Sequence, residues 1–120
     1  MVIKKVPKIG IITPTFNQAN YIRQTIDSVL NQKYPNLEYW IIDGKSTDDT
    51  VKILKSYGKK INWVSEKDDG QADAINIGFR KISSCDIYAY INSDDLYMPN
   101  TFELVAKEFQ MGGVHWVTGD

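Results

Sequence analysis

The 120-residue sequence holds one cysteine, one histidine and four prolines, and each scarcity removes a class of protein. A single thiol, Cys85, makes neither an internal disulfide nor a cysteine-based metal site, and it suits a reducing compartment. With His115 as the one imidazole, zinc has no donor set, and the place of His115 inside an apolar run favours a structural role. No apolar run approaches the ~18 residues of a membrane span. The opening MVIKKVPKIGIITPTF is broken by Pro7, Lys8 and Pro14, which disfavours a secretory leader. Charge lacks a dominant sign: 14 basic and 15 acidic residues leave a net charge of −1. There is no basic block, so no nucleic acid held by phosphate neutralisation is expected as a partner.

What is present is an ordinary globular composition, 42% hydrophobic and 24% charged, sized for a single domain over residues 1–120. The acids are lopsided, for eleven of the fifteen are Asp, a residue suited to caps, turns and cation sites rather than helix interiors. Gly, Pro, Asn and Asp cut the chain into short apolar runs alternating with helix-period segments. Strands are expected at 8–13, 37–42, 61–65, 86–91 and 114–118. Helices are expected at 20–32 with Ile22, Ile26, Val29 and Leu30 inward, at 48–57 with Val51, Leu54 and Tyr57 inward, and at 71–82 with Ala72, Ile75, Phe79 and Ile82 inward. A last helix starts at Asn100, which as N-cap with Glu103 three residues on forms a capping box ahead of Phe102, Val105, Ala106 and Phe109, and Gly112-Gly113 end it. Strands alternating with helices need right-handed crossovers, hence a mostly parallel sheet covered on both faces: an α/β fold, a Rossmann-like three-layer sandwich. Such sheets bind ligands beyond the carboxyl ends of the strands, where strand order reverses.

Just past the expected strands stand Thr13-Pro14-Thr15-Phe16-Asn17, Asp43-Gly44-Lys45-Ser46-Thr47, Glu66-Lys67-Asp68-Asp69-Gly70, Asn92-Ser93-Asp94-Asp95 and finally Asp120. Carboxylates crowded along one sheet edge need a cation or hydrogen-bond donors to offset their repulsion. Each Asp can instead cap the helix that follows it. Asp94 and Asp95 precede a helix already capped by Asn100, which leaves them as spare hard-oxygen ligands. Such a pair suits Mg²⁺ or Mn²⁺ with phosphate oxygens of a substrate completing the shell. Gly44-Lys45-Ser46 looks like the tail of a Walker loop, but Tyr39 stands where that loop requires glycine. No G-x-G-x-x-G occurs, and the loop after Asp43 lacks calcium-loop spacing.

Four motifs, IITPTFNQ, IIDGKSTDDT, SEKDDGQADAINIGF and YAYINSDDLYMPN, stand in order along nearly the whole chain. On them the chain resembles the N-terminal, nucleotide-sugar-binding part of family 2 inverting glycosyltransferases with the GT-A fold, truncated after about five strands. The resemblance implies that Thr13, Pro14 and Thr15 belong to the nucleotide-binding turn, whose backbone at Pro14 and Thr15 holds the base. It implies that Asp43 accepts a hydrogen bond from the ring N–H of the base and that Asp69 lies against the nucleoside, with Asp68 beside it leaving the register open. Asn76 and Gly78 match a segment that lets its helix approach the nucleotide. A turn, a helix cap and simple helix packing are the competing roles. Asn92-Ser93-Asp94-Asp95 is similar to the family's D-x-D region, with Asn92 where an acid is usual. There the resemblance implies Asp95 as the direct ligand of Mg²⁺ or Mn²⁺, with Asp94 sharing the charge and facing the ribose or sugar diphosphate.

The implied reaction moves a sugar from a nucleoside-diphosphate sugar, by family habit a UDP-sugar, to a hydroxyl of a carbohydrate or lipid-linked acceptor, with inversion. A metal neutralises the departing diphosphate while a general base takes the acceptor proton. In the family that base is an Asp well downstream of D-x-D. No residue here corresponds to it, so no catalytic residue is assigned. The chain is expected to be a donor-binding fragment, inactive alone, cytoplasmic or peripheral to the cytoplasmic face of a membrane, and prone to self-association through an open strand edge. A nucleotide-binding module without transfer is not separated from this reading by these residues. A sugar nucleotidyltransferase would carry a Gly-rich, Arg-containing loop where this chain has Thr13-Pro14-Thr15-Phe16-Asn17.

Overall fold

A computed structural model describes residues 6–110. Its elements are β1 (Ile9–Thr15), α1 (Ile22–Leu30), β2 (Leu37–Asp43), α2 (Thr50–Ser56), a 3-10 turn (Gly58–Lys60), β3 (Asn62–Ser65), α3 (Gln71–Lys81), β4 (Ile87–Tyr90) and α4 (Thr101–Gln110). The expected fifth strand, with Gly112-Gly113, His115 and Asp120, lies outside the described residues. The four described strands form one sheet in the order β3-β2-β1-β4, and every pairing is parallel. The α/β expectation is thereby met. β1 is buried along its whole length, which is why its sequence reads as a continuous run rather than an alternating one.

Side-chain alternation divides β1 and β2 between two cores. Ile9, Ile11, Tyr39 and Ile41 pack with Ile22, Ile26 and Val29 of α1, Leu54 of α2 and Phe102 of α4. Ile12 and Ile42 pack on the other face with Ala74 and Ile77 of α3. The inward face of α3 therefore differs from the expected Ala72, Ile75 and Phe79: Ala74, Ile77 and Gly78 are buried instead. The cause is close approach. A Cβ on Gly78 would lie 2.6 Å from Cγ2 of Ile12, so small residues seat the helix on the sheet. Phe79 turns outward and meets Tyr88 edge-on at 5.9 Å.

Two further expectations are corrected. Asn100 adopts φ 64°, outside the extended backbone an N-cap takes, and the amide of Phe102 is served by Gln32 Oε1 at 3.2 Å. The cap comes from the turn that follows α1 rather than from a local box. β1 also runs two residues beyond its expected end, so Pro14 and Thr15 are strand residues paired with Ile42 and Asp43. The carbonyl of Ile12 accepts the last bond from β4, through the amide of Ile91 at 3.0 Å. The next residue facing that side is Pro14, which has no N–H to offer. β4 parts from β1 there, and a crevice opens at the point where strand order reverses. Among the described residues no helix is long and apolar enough to cross a membrane.

Candidate functional site

The crevice measures about 590 Å³ and draws on all four strand ends. Pro14 and Thr15 come from the end of β1, Phe16 and Gly44 from just past β1 and β2, Lys67 and Asp68 from the segment after β3, and Asn92, Ser93 and Asp94 from the turn after β4. Its walls are fixed by hydrogen bonds between loops. Asn17 takes the left-handed conformation at φ 51°, which Asn tolerates, and its side-chain oxygen accepts the amides of Thr47 at 2.8 Å and Asp48 at 3.3 Å. Its own amide donates to the Ser46 hydroxyl at 2.8 Å. Asp48 accepts from the amides of Ala19 and Thr50 and from the Thr50 hydroxyl. Partial burial works to raise its pKa, but these donors win and hold the carboxyl below its ordinary value. The loop after β1 is thus bound to the start of α2.

Asp43, expected to read a base, is wholly buried. Its carboxylate accepts the Ser46 amide at 2.9 Å and the hydroxyls of Ser46 and Ser65. It joins the ends of β2 and β3 and is not on the crevice lining. Thr13 is also wholly buried, with its hydroxyl 2.8 Å from that of Tyr39. Burial pushes the Tyr39 phenol far up, so it stays a neutral hydrogen-bonding group. Pro14 and Thr15 do line the crevice.

In the D-D-G segment the lining carboxylate is Asp68 rather than Asp69. Asp68 accepts the amide of Gly70 at 3.0 Å, and Gly70 sits at φ 110°, a conformation almost confined to glycine. Asp69 is exposed, and its amide donates to Asp73 at 3.0 Å, closing the start of α3. Asn76 is exposed on α3 and off the lining, while Gly78 serves the helix packing described above.

After β4 the chain turns sharply, with the amide of Asp95 donating to the carbonyl of Asn92 at 3.1 Å. The carbonyl of Asp95 accepts the Thr25 hydroxyl at 2.7 Å, which pins the turn to α1. Asp94 and Asp95 are both exposed, and Asp94 lines the crevice where Asp95 does not. Asn92, at the place of the usual acid, accepts a hydrogen bond from the side chain of Gln71 and so ties the turn to the start of α3. Among the described residues no three His, Cys, Asp or Glu side chains gather closely enough to hold a metal by themselves.

Several lining residues have no assigned role in the sequence motifs, among them Lys67, Phe16 and Gln71. Lys67 brings a cation, Phe16 an aromatic ring that is 56% exposed, and Gln71 the link to Asn92. All lie inside the quoted motifs, but a reading weighted toward acids passes over them.

The fold and the motifs have counterparts. An uncharacterized glycosyltransferase of Rickettsia typhi is 38% identical over 97 residues, covering 81% of this chain and 30% of that protein. The structure of S. aureus TarS 1–349 in complex with UDP-GlcNAc superimposes with a TM-score of 0.72 at 26% identity, over 85% of this chain and 30% of that one. The mannosyltransferase PcManGT from Pyrobaculum calidifontis, in complex with GDP-Man and Mn²⁺, does so with a TM-score of 0.72 at 26% identity, over 88% and 32%. The chain thus spans less than a third of the length of each of these three, and 16% or less of longer relatives such as a chondroitin synthase of Escherichia coli. The model of glycosyl transferase family 2 matches residues 10–120, all but the first nine, and the chain belongs to that family.

Proposed function

We propose that the crevice binds a nucleoside-diphosphate sugar, with UDP as the nucleotide, and that the chain forms the donor half of an enzyme transferring that sugar to an acceptor hydroxyl with inversion. The observation that carries this is the opening at Pro14. It puts the neutral residues Pro14, Thr15 and Gly44 at the ends of β1 and β2 on one lining with Lys67 and Asp68 after β3 and Asp94 after β4. Two structurally similar proteins are described with nucleotide sugars, UDP-GlcNAc and GDP-Man.

Mg²⁺ or Mn²⁺ fits the donor set present. Asp94 and Asp95 are exposed hard-oxygen ligands on one tight turn, and these ions keep waters and take phosphate oxygens, so a closed cage of protein ligands is not needed. When bound there the ion supplies Lewis-acid neutralisation of the leaving diphosphate. Lys67 adds positive charge to the lining, and Phe16 offers an exposed ring to a base. Asn92 and Gln71 hold the Asp94 turn against α3.

The acceptor proton needs a base. Asp43 and Asp48 are committed to serine, threonine and backbone donors and Asp68 to Gly70, so we assign that role to a carboxylate of the acceptor half. The same commitment favours the second reading, a binding module without transfer. Calorimetric titration of the chain with UDP in Mn²⁺ and in EDTA tests the site. The expectation is binding that weakens in EDTA and in Asp94→Asn, with no sugar transfer by these 120 residues. Equal affinity with and without metal removes the cation, and turnover by the chain alone removes the assignment of the base.

A further inference from the structure

Residues 50–65 hold four lysines and no acid, in a chain whose net charge is −1. Spaced along the sequence they form no block, but the fold gathers them. Lys52 and Lys55 stand three apart on α2, and Gly58, at φ 58°, turns the chain into the 3-10 turn that carries Lys59 and Lys60. All four are exposed, and among the described residues none is paired with a carboxylate, the one ion pair there being Lys8–Glu38. Arg23 of α1 adds a fifth cation, its guanidinium 5.7 Å from the centre of the Tyr57 ring. Of the acids on the adjoining elements, Asp27 accepts the Tyr57 hydroxyl at 2.7 Å, Asp48 is held by Ala19 and Thr50, and Asp49 stands at the start of α2. Helix stability does not account for the arrangement. Lys55 in the last turn suits the negative end of the helix, but Lys52 stands near the positive end, where the first turn holds no acid. Lysines three and four positions apart also repel.

The composition of the patch points to its partner. Lysine is a flexible point charge without the planar fork by which arginine reads one carboxylate or phosphate, so four of them favour many diffuse anions over a single defined ligand. Beside them Ile53, Tyr57 and Trp63 are half-buried and pack against the α1 side of the core. Tyrosine and tryptophan partly exposed next to cations suit the boundary between lipid headgroups and acyl chains. We infer that the face formed by α2, the 3-10 turn and Arg23 docks reversibly on an anionic lipid surface. Each lysine near such a surface strengthens association about five-fold, so four give a salt-sensitive attachment rather than a permanent anchor. None of these residues lines the crevice, so the docking is separate from the donor site and does not rest on it.

The full chain is mixed with vesicles of phosphatidylcholine alone and of phosphatidylcholine with phosphatidylglycerol, and the sedimented fraction is followed as salt is raised. The expectation is binding to the anionic vesicles only, fading with salt. Lys55→Gln/Lys59→Gln should weaken it about 25-fold. Arg80→Gln/Lys81→Gln, the same change of charge on α3 across the sheet, should leave it near the parent value. Melting temperatures of both variants should match the parent, because none of the four side chains is in an ion pair among the described residues. Equal binding to neutral vesicles, an equal loss in the two variants, or no vesicle binding by the parent overturns the inference. A lowered melting temperature in Lys55→Gln/Lys59→Gln overturns it by giving these lysines a structural role. Tighter binding of soluble polyphosphate than of the anionic vesicles, at equal charge and salt, overturns it in favour of a dissolved polyanion.

Discussion

At Asp43 three donors, the amide and hydroxyl of Ser46 and the hydroxyl of Ser65, converge on a carboxylate with no exposed surface. Its oxygens hold the end of β2, the turn that follows and the end of β3 in one arrangement. Asp43→Ala removes the shared acceptor of these half-buried donors and empties a buried site, and a donor left unsatisfied on burial costs about 1–3 kcal/mol. The expected loss is about 3 kcal/mol or more of folding stability, read from urea unfolding without nucleotide, and weaker UDP binding should follow from that loss. A variant that folded as stably as the parent yet bound UDP poorly would return Asp43 to the role of a direct base contact.

One element-scale device lies at the opposite end of the sheet. Glu38 of β2 forms an ion pair with Lys8 at 3.0 Å and accepts the amide of Ser83 at 3.0 Å, the Ser83 hydroxyl and the Trp40 indole N–H at 2.8 Å. It ties the chain entering β1 to the segment between α3 and β4. Burial acts to raise the Glu38 pKa, but the Ser83 hydroxyl and amide, the Trp40 N–H and Lys8 together bring it down to about 2. A folded pKa below the unfolded one, about 4.5, stabilises the fold above pH 4.5, and that contribution is lost as pH falls from about 4.5 toward 2. Glu38→Gln should flatten this limb of a stability-against-pH curve measured by urea midpoints, and an unchanged slope would show that the clamp contributes no acid sensitivity. Most of this architecture is legible in the sequence, because β1 to β4 are apolar runs separated by helix-length segments and turn residues. The phase of α3 is not, since hydrophobic periodicity selects Ile75 and Phe79 while close packing selects Ala74 and Gly78. The choice of Asp68 over Asp69 depends on the Gly70 backbone, and the Gln71–Asn92 and Gln32–Phe102 bonds join residues distant in sequence. Local pattern carries no record of such pairings. The four motifs did identify the carboxyl-end loops that line the crevice, and what they left unread was which neighbour in each loop faces inward.

For the molecule as a whole, the β4 edge of the sheet carries an apolar surface. On β4, Tyr88 and Tyr90 stand on the α3 face, opposite Gly10 and Ile12 in register, and are 44% and 53% exposed. Phe79 of α3 joins them at 41% exposure, making an aromatic strip beside a strand that, among the described residues, is paired on one side only. An unpaired strand bordered by apolar rings invites edge-to-edge pairing, and a lysine on such an edge opposes it by burying charge in the new contact. Sedimentation velocity of the 120-residue chain should therefore show association that grows with protein concentration. Tyr90→Lys should shift it toward monomer without lowering the melting temperature by more than a few degrees, because the Tyr90 ring is more than half exposed. Association should also persist at high salt, since burial of rings rather than attraction of charges drives it. A parent chain that stays monomeric at every concentration would mean that this edge is covered from within the chain, and the surface would then belong to the core of the domain instead of to a contact between copies.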